Sequence, residues 1–512
     1  MSRRGYAVIL FLILLLCYAY FFPRWADWAQ NSRFDLVLAV VDQQTLQIDD
    51  YYSNTGDYAL FEGHYYTDKS PGPSFLAVPV YALFKQVAAL PPVECLMKRA
   101  GSSGVFAATL TEGGEGASVD RVYFAAALYM VTFFVISIPA ALMGIALFYF
   151  AAGFTDKDLY AFWVALAGGL ATPIFPYAGF FGQHILSGAG AFVSFWLLYR
   201  LRQGQSSTRA LWLAGALFGL ALISEYTVAL LLAPVFFYAL YILKNKWEVW
   251  KMFAAALPFG LAMAAYNLAI FHTPLPVGYL YSPNYVDVHY EGFLSLTYPK
   301  LSALWGITFS PFRGLFFISP FMLLGFLGLW YMRAQRQHRS EWWVMLVCVV
   351  GFFLYNSSSV MWQGGFAVGP RYLVPMLPFL VLPVIFVVNR WAERRSLRAG
   401  IGALIVLSGV LVWAETIGGQ SFPDWSTNPL AERSLPSLLA GDIARNLGML
   451  LGLRGWLSLL PLAILAALIV IGLPRLRSLA GRLGLRLRGR DVVGPRVLLH
   501  PRTVADPDDT GK

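Results

Sequence analysis

The chain has 512 residues, of which 58% are hydrophobic and only 13% are charged, whereas a soluble globular chain is about 45–50% apolar and about 25% charged. Its mean hydropathy is +0.59. This composition excludes a soluble enzyme, a disordered chain and a fibrous repeat, and it predicts an all-α polytopic membrane protein. Three cysteines, Cys17, Cys95 and Cys348, are too few for a disulfide framework or a cysteine metal site.

Twelve apolar runs predict membrane-spanning helices, each of which needs about 20 mainly apolar residues. They lie near residues 6–22, 122–152, 159–178, 184–199, 210–224, 226–243, 252–271, 314–332, 342–356, 373–389, 399–415 and 456–473. The first run resembles a signal peptide, but no small-residue cleavage site follows it, so we predict that it is retained as the first helix. A further apolar stretch at 74–92 is a thirteenth candidate.

The distribution of Lys and Arg among the loops sets the predicted orientation, because these residues accumulate on the cytoplasmic side. With the N-terminus inside and twelve spans, the inside receives the basic loops near residues 157, 200–209, 244–251, 333–339 and 390–398, and the basic tail. A full span at 74–92 would move these clusters outside, so we predict that 74–92 lies along the outer membrane surface. The basic tail then contacts anionic lipid, which accounts for the formal net charge of +10 without nucleic acid as a partner.

This threading divides the chain into three regions. Residues 1–390 form the main membrane region, and its external loop 23–121 carries the candidate site. Residues 391–490 add C-terminal helices and a basic segment, and residues 491–512 form a polar tail that we predict to be disordered.

The external loop 23–121 is rich in carboxylates. Eight of the 28 acidic residues lie between Asp27 and Asp68, and Asp49, Asp57 and Asp68 are interleaved with tyrosines. Carboxylates accept hydrogen bonds from sugar hydroxyls, and aromatic rings cover the C–H faces of a sugar, so this pattern favours a carbohydrate ligand. Lys69 follows Asp68 at a tight turn, where its ammonium can reach a phosphate at headgroup level. For Asp27, an ordinary exposed acidic loop is the simpler interpretation.

Several short motifs resemble those of a known family. They are Thr67-Asp68-Lys69-Ser70-Pro71-Gly72, Phe181-Gly182-Gln183-His184, Ser224-Glu225-Tyr226, Ser310-Pro311-Phe312-Arg313-Gly314-Leu315, Trp362-Gln363-Gly364-Gly365 and Gly369-Pro370-Arg371-Tyr372. The order of first helix, acidic external loop and interfacial helix, together with these motifs, resembles the GT-C class of membrane glycosyltransferases. More narrowly, it is similar to bacterial members of family 39, which includes protein O-mannosyltransferases and lipid A aminoarabinose transferases. The resemblance covers residues 1–390.

The resemblance implies an inverting glycosyltransferase of the bacterial cytoplasmic membrane. Its donor would be a sugar on a polyprenyl phosphate, and its acceptor a hydroxyl of a lipid, a glycan or a protein at the external, periplasmic face. Cations must then take up the charge of the departing lipid phosphate, and the candidates are Lys69, Arg33 and Arg371. The expected substrate-binding residues are His184, Glu225, Tyr66 and Trp362. No cofactor is certain, but Asp68 and His184 could together hold a divalent metal, which some GT-C relatives use.

The catalytic base is the point at which the sequence departs from the family. Its relatives carry an Asp, usually Asp-Glu, just ahead of an arginine at the start of the loop, whereas residues 30–32 before Arg33 hold no acid. We therefore expect Asp57 to be the base, because a turn at residues 54–56 would present it among tyrosines, where partial burial raises its pKa. Asp49 is the second candidate.

Asp68 is the third catalytic candidate. Because it adjoins Lys69, we expect its pKa to be lowered, which would suit the phosphate or metal side of the site better than proton removal.

Two other functions remain open at this stage. A lipid or sugar carrier, or a flippase, would be expected to show internal repeats and broken helices around a midplane charge. A ligase or polymerase of surface polysaccharide would share the chemistry but use a lipid-linked oligosaccharide as donor.

Overall fold

The computed structural model describes residues 1–24, 27–102, 121–285, 291–292 and 295–482. The tail predicted to be disordered, 491–512, lies outside the described residues. So do parts of the predicted loop 23–121 and the end of the basic segment within 391–490.

The described chain is mainly helical. Its α-helices are Arg3–Tyr20, Trp28–Leu38, Gly72–Ala88, Pro91–Ser102, Arg121–Thr132, Ile138–Ala151, Asp158–Leu170, Ile174–Ala178, His184–Arg202, Ala210–Ser224, Ala229–Ile242, Trp250–Phe271, Leu301–Thr308, Leu315–Ile318, Leu323–Arg333, Arg339–Ser358, Leu377–Val381, Val384–Trp391, Arg395–Ile417, Leu435–Ala440, Leu447–Leu450 and Leu460–Arg482. Two short strands, Tyr58–Phe61 and His64–Thr67, form one antiparallel hairpin. The prediction of an all-α protein is therefore correct in class but misses this hairpin, which lies next to the candidate site.

Six helices in the described part of the chain are long and apolar enough to cross a membrane, and up to eight if each of two bent pairs is one span. The six are Arg3–Tyr20, Arg121–Ala151, Lys246–Phe271, Arg336–Ser358, Arg395–Ile417 and Gly455–Gly472. The protein is thus a helical membrane protein, while the predicted number of twelve spans is supported only in part. The run predicted at 314–332 is interrupted at Ser319 and Pro320, because proline cannot continue a helical hydrogen-bond ladder.

The stretch predicted at 74–92 is a helix, Gly72–Ala88, followed by the helix Pro91–Ser102. The two axes meet at 89°, an angle that fits a broken span or a re-entrant loop. The helix itself agrees with the sequence analysis, and its position relative to the bilayer stays a prediction.

Glycines let neighbouring helices approach closely, as is common in membrane bundles. His184–Arg202 packs along Ala210–Ser224, which packs in turn along Trp250–Phe271. A Cβ atom on Gly215 would lie 2.3 Å from the Met252 carbonyl oxygen, and one on Gly190 would lie 2.8 Å from the Leu217 carbonyl oxygen. Side chains at these positions would separate the helices.

Loops that the charge pattern assigns to one side of the membrane contact one another. On the predicted inner side, Arg3 pairs with Asp158 at 2.7 Å, and Lys157 pairs with Glu393 at 3.5 Å. On the predicted outer side, the contacts join Arg33 to Gln183, Ser70 to Ser224, and Arg313 to Phe422. The grouping of the loops thus agrees with the structure, and which side faces outward stays a prediction.

Candidate active site

The hairpin brings two carboxylates of the external loop side by side. Tyr58 lies opposite Thr67 in the antiparallel register, so the residues just beyond the strand ends, Asp57 and Asp68, are neighbours across the open end of the hairpin. The Thr67 hydroxyl anchors this end by a hydrogen bond of 2.6 Å with the Ser32 hydroxyl.

Lys69 lies between these two carboxylates. Its Nζ is 3.0 Å from Asp57 Oδ2 and 3.1 Å from Asp68 Oδ1, and all three side chains are buried or nearly so. Burial would lower the pKa of Lys69, but the charges of Asp57 and Asp68 raise it above its ordinary value. Lys69 therefore stays charged, and both of its anionic partners are carboxylates of the protein itself.

The order of the two aspartate pKa values is opposite to our prediction. Burial raises the pKa of Asp57, but the Lys69 charge and hydrogen bond outweigh burial and hold that pKa below its ordinary range. Burial raises the pKa of Asp68, and the Asp57 charge adds to this, so that together they outweigh the lowering effect of Lys69. The predictions of a raised pKa for Asp57 and a lowered one for Asp68 were therefore wrong. Lys69 contacts both carboxylates at nearly the same distance, and the balance between burial and the surrounding charges decides each pKa.

Two tyrosines from the segment after residue 272 complete this group. The Tyr285 hydroxyl hydrogen-bonds to Asp57, and Lys69 Nζ lies 5.3 Å from the centroid of the Tyr279 ring. A carbohydrate bound here would meet hydroxyls, carboxylates and an aromatic ring together.

Arg33 reaches the same cluster from the helix Trp28–Leu38. It is 1% exposed, and its guanidinium donates to the Ala29 carbonyl and to Gln183 Oε1. Its buried Nε donates to no acceptor within the described residues. The charges of Asp57 and Asp68 both act on Arg33, so the prediction that Arg33 and Lys69 lie at one site agrees with the geometry.

Arg371 is the third predicted cation, and it is held loosely. Its Nη2 makes a long hydrogen bond of 3.4 Å to the Tyr372 hydroxyl, and its buried Nε has no acceptor in the described part of the chain. The turn before it depends on Gly364, whose φ is +75°. A Cβ atom on Gly364 would lie 2.9 Å from Arg371 Cγ, so glycine leaves the space through which this side chain passes.

Arg313 has the opposite environment, although it belongs to one of the motifs above. It is fully buried, and its guanidinium donates to the carbonyl oxygens of Gln363, Gly365, Ala367, Phe422 and Pro423. These bonds fix the loop that leads to Arg371 against residues 422–423. Arg313 is therefore part of the support of the site.

Asp27 is a buried carboxylate, contrary to its interpretation as part of an exposed acidic loop. It is 8% exposed and caps the helix Trp28–Leu38 by accepting a hydrogen bond of 3.2 Å from the Gln30 backbone N–H. An acid three residues ahead of a glutamine at a helix start is a capping pattern that could have revealed its burial. Burial raises the pKa of Asp27, against the lowering effect of Arg371 and Arg24.

A cleft lies beside Asp27 and Arg371. Its free volume is about 30 Å³, enough for about one ordered water, and it is lined by Arg24, Asp27, Pro176, Tyr177, Gly179, Phe180, Phe366, Ala367, Val368, Arg371, Gln420 and Ser421. Its lining combines cations, one carboxylate and aromatic rings.

His184 pairs with Glu225 and not with Asp68, contrary to the metal prediction. Its Nδ1 lies 3.0 Å from Glu225 Oε1, while the Ser187 and Thr227 hydroxyls donate to the same carboxylate at 2.5 and 2.9 Å. Among the described residues, no group of three or more His, Cys, Asp or Glu side chains could hold a metal ion. The described residues therefore do not fit the predicted divalent metal. The His184–Glu225 pair instead joins two helix ends next to Tyr372, whose ring lies 5.8 Å from that of His184.

Three other predicted residues have different surroundings. Asp49 accepts from the Tyr65 backbone N–H at 2.7 Å and pairs with His64 at 2.7 Å, so it secures the hairpin and is not joined to Lys69. Tyr66 is buried against the Phe271 ring, with 6.2 Å between centroids. Trp362 covers Gly306, where a Cβ atom would lie 2.2 Å from its ring. Both aromatic residues have packing roles in this structure.

The structure thus brings six charged residues together, which we call the outer charge cluster: Asp27, Arg33, Asp57, Asp68, Lys69 and Arg371. A scan of the sequence against protein-family models gives no match, and a search of the curated proteins gives none either. The chemistry of the cluster must therefore be argued from its own residues.

Proposed function

We propose that this protein is an inverting membrane glycosyltransferase that moves a sugar from a polyprenyl-phosphate donor to a hydroxyl acceptor at the outer face of the membrane. In the full topology that we propose, the chain crosses the membrane about twelve times, with the shorter apolar helices included. The family 39 resemblance and the outer charge cluster both support this assignment.

The observation that carries the proposal is the state of the two arginines. Arg33 and Arg371 each have a buried guanidinium Nε without an acceptor among the described residues, and a buried unpaired donor costs about 1–3 kcal/mol. A phosphate oxygen is an acceptor that matches an arginine well. We therefore assign the donor phosphate mainly to these arginines, with Lys69 contributing charge.

In the proposed reaction, a carboxylate accepts the proton of the acceptor hydroxyl. The oxygen forms a bond to the anomeric carbon while the bond from that carbon to the phosphate oxygen breaks, and the lipid phosphate leaves with the electron pair. The configuration inverts because the attack comes from the face opposite the phosphate. The cations stabilise the charge on the leaving group, and a single donor of this kind is worth about 2.7–4 kcal/mol in the transition state.

The two aspartates beside the buried lysine balance the positive charge of the site. Asp57 and Asp68 each contact Lys69, and their charges keep the cluster close to neutral before the donor binds. Such a site can hold a phosphate without burying an excess of positive charge, which would be costly in a low dielectric.

The test is to incubate the purified full-length protein with a panel of polyprenyl-phosphate sugars and a panel of hydroxyl acceptors. We expect release of lipid phosphate with at least one donor, together with formation of an inverted glycoside. A carrier or flippase would bind a donor without releasing phosphate, and that result would overturn the proposal. Release of lipid diphosphate from a lipid-linked oligosaccharide would instead favour a ligase or polymerase.

A further inference from the structure

Three buried residues of the first external loop form a small polar group of their own. Asn31 and Asp35 lie one turn apart on the helix Trp28–Leu38 and are 1% and 0% exposed, and Asn54, which is 1% exposed, belongs to the turn before Asp57. Asn54 Nδ2 donates to Asp35 Oδ1 at 2.9 Å, and Asn31 Nδ2 donates to the Asn54 carbonyl oxygen at 2.9 Å. Both amides thus donate within the group, and these bonds keep the three side chains in contact.

The other oxygens of these side chains face no donor. Asn31 Oδ1, Asp35 Oδ2 and Asn54 Oδ1 are each buried without a hydrogen-bond partner in the part of the chain that the structure describes. A buried acceptor without a partner carries the full desolvation penalty of that group, and buried polar groups in native proteins are nearly always paired. Three such oxygens in one group therefore indicate a ligand that supplies positive charge.

Asp35 also lacks a cation of the protein beside it. Among the described residues, two effects act on its carboxyl group: burial holds its pKa well above the ordinary range, and the Asn54 hydrogen bond lowers that pKa. Arg33 lies two residues away, but its guanidinium donates to Ala29 and Gln183. A fully buried carboxylate must either take up a proton or be paired with a positive charge.

A proton and a cation satisfy this group differently. One proton on Asp35 makes a single donor, which can bond to one neighbouring amide oxygen and leaves the other without a partner. A water molecule can donate to two of the oxygens, but it leaves the carboxylate charge uncompensated. A hard cation contacts several oxygens at once, and carboxylate, amide and carbonyl oxygens with water are its usual ligands. The three oxygens therefore favour a cation.

The charge of the group sets the valence of this cation. One carboxylate and two neutral amides carry a single negative charge, so a monovalent cation leaves the buried site neutral. A divalent cation would leave one positive charge uncompensated in a low dielectric, which is costly. The residues therefore match an alkali cation better than Ca²⁺ or Mg²⁺.

We infer that Asn31, Asp35 and Asn54 bind one partly dehydrated alkali cation, Na⁺ or K⁺, at a structural site of the first external loop. The inference goes beyond the proposed function and does not depend on it, because the ion can be measured without any donor or acceptor substrate.

The position of this site gives the ion a role in holding the outer charge cluster together. The helix Trp28–Leu38 carries Arg33, and the turn that contains Asn54 leads to Asp57. The Thr55 hydroxyl donates to the Trp28 carbonyl oxygen at 2.8 Å and joins the same two segments. The ion would therefore fix the position of Asp57 relative to Arg33 without itself contacting a substrate.

The test compares thermal unfolding of the purified full-length protein in detergent in Na⁺, in K⁺ and in N-methylglucamine, at equal ionic strength. N-methylglucamine is too large for a fully buried site, so it is the cation that cannot bind. A ligand that binds only the folded state raises the Tm by mass action. We expect the Tm in Na⁺ or K⁺ to exceed that in N-methylglucamine by about 2–3 °C when the ion is at about a hundredfold excess over its Kd.

Asp35→Asn is the matching variant, because it removes the charge with little change of shape. We expect its Tm to be the same in all three cations, and in N-methylglucamine to be no lower than that of the wild type, since the uncompensated buried charge is gone. Asp42→Asn is the control. It removes a carboxylate of the same loop that already has a cation, Lys85, at 2.6 Å, and it should keep the wild-type response to Na⁺ and K⁺.

Hydrogen exchange locates the effect in the wild type, so it decides even if Asp35→Asn fails to fold. The backbone amides of residues 52–56 should exchange more slowly in the bound ion than in N-methylglucamine, by about tenfold for each tenfold rise of the ion above its Kd. The amides of the helix Arg339–Ser358, which lies far along the chain from the site, should not respond.

Each outcome supports or overturns the inference. An unchanged Tm and unchanged exchange in all cations would overturn it and assign a proton to Asp35. A response to Ca²⁺ alone would overturn it because the site would then be divalent. A response to Na⁺ that persists in Asp35→Asn would place the ion elsewhere and overturn this site. Failure of the wild type to release lipid phosphate from every donor would overturn the proposed function and leave the ion site unaffected.

Discussion

Buried charges occur at both ends of the helical bundle, and the two groups differ in how completely they are paired. At the predicted inner end, Glu341 is fully buried and contacts Arg202, the Tyr238 hydroxyl at 2.6 Å and the Ser340 hydroxyl at 3.2 Å. Arg202 also donates to the Gln337 carbonyl at 3.0 Å. At the other end, the outer charge cluster retains two buried guanidinium N–H groups without acceptors and adjoins a cleft.

The contrast teaches how to separate a structural ion pair from a binding site. A network whose donors and acceptors are all used holds helices together and has little capacity for a ligand. A network with unpaired donors and an accessible space carries the desolvation cost of those donors, and a ligand that accepts their hydrogen bonds can remove this cost. The same distinction holds within one end, where Arg313 donates to five carbonyls and Arg371 makes one long hydrogen bond.

Replacing the central lysine should give the largest effect. Lys69→Met leaves Asp57 and Asp68 buried without their shared cation, so we expect transfer to fall by about 10²–10³-fold, as for a lost oxyanion donor. The measurement is the rate of lipid-phosphate release. Lys85→Met, which breaks the more exposed pair with Asp42, should change the rate little because such pairs contribute about 0–1 kcal/mol. Equal rates in the two variants would contradict the assignment.

Breaking the buried network of Arg202 and Glu341 at the predicted inner end should lower the stability of the protein and leave its activity unchanged. Arg202→Met leaves Glu341 buried and unpaired, and we expect the free energy of unfolding to fall by about 3 kcal/mol, the lower end for a broken buried pair because Arg202 is partly exposed. Thermal unfolding in detergent measures this, and transfer per folded molecule should stay within twofold of the wild type. A loss of turnover without loss of stability would remove the distinction between the two ends.

Arg371→Lys is expected to have an intermediate effect. Lysine keeps the charge but cannot donate two parallel hydrogen bonds to a phosphate, so transfer should fall by about 10–100-fold, or about 1.4–2.7 kcal/mol, while the protein inserts and purifies normally. If Arg371 only extends its charge to the membrane interface, the lysine variant will turn over normally. Arg3→Lys, at the more exposed pair with Asp158, is the control.

The smallest effect concerns acid stability. The pKa of Asp57 is lowered from 3.8, so the stability it contributes is fully present above pH 3.8 and is lost as the pH falls through the native pKa. The pKa of Asp68 is raised, so the native state gains relative stability as the pH falls from that native pKa toward 3.8. Asp57→Asn and Asp68→Asn should therefore change the pH dependence of unfolding in opposite directions, by about 1.4 kcal/mol for each unit of pKa shift. Changes of the same sign would contradict the assignment.

Much of the site could be predicted from residue types and short spacing. The turn around Lys69 indicated a phosphate-binding cation, and the resemblance added Arg33 and Arg371; the structure does bring these three cations together. The spacing could not show that Asp49 would be used by His64 or that His184 would face Glu225, because those partners are 15 and 41 residues away along the chain.

The sequence by itself determined the class of the protein, since its composition and apolar runs indicate a helical membrane protein, and its charge pattern predicted which loops share a side. Only the tertiary structure decided which carboxylates share Lys69, because the register of the Tyr58–Phe61 and His64–Thr67 hairpin sets Asp57 beside Asp68. It also decided that Asp27 is buried beside a cleft and that Arg313 is saturated while Arg371 is not. Burial and the number of available partners depend on segments far apart in the chain, and these two quantities set both the pKa of a group and its capacity to bind a ligand.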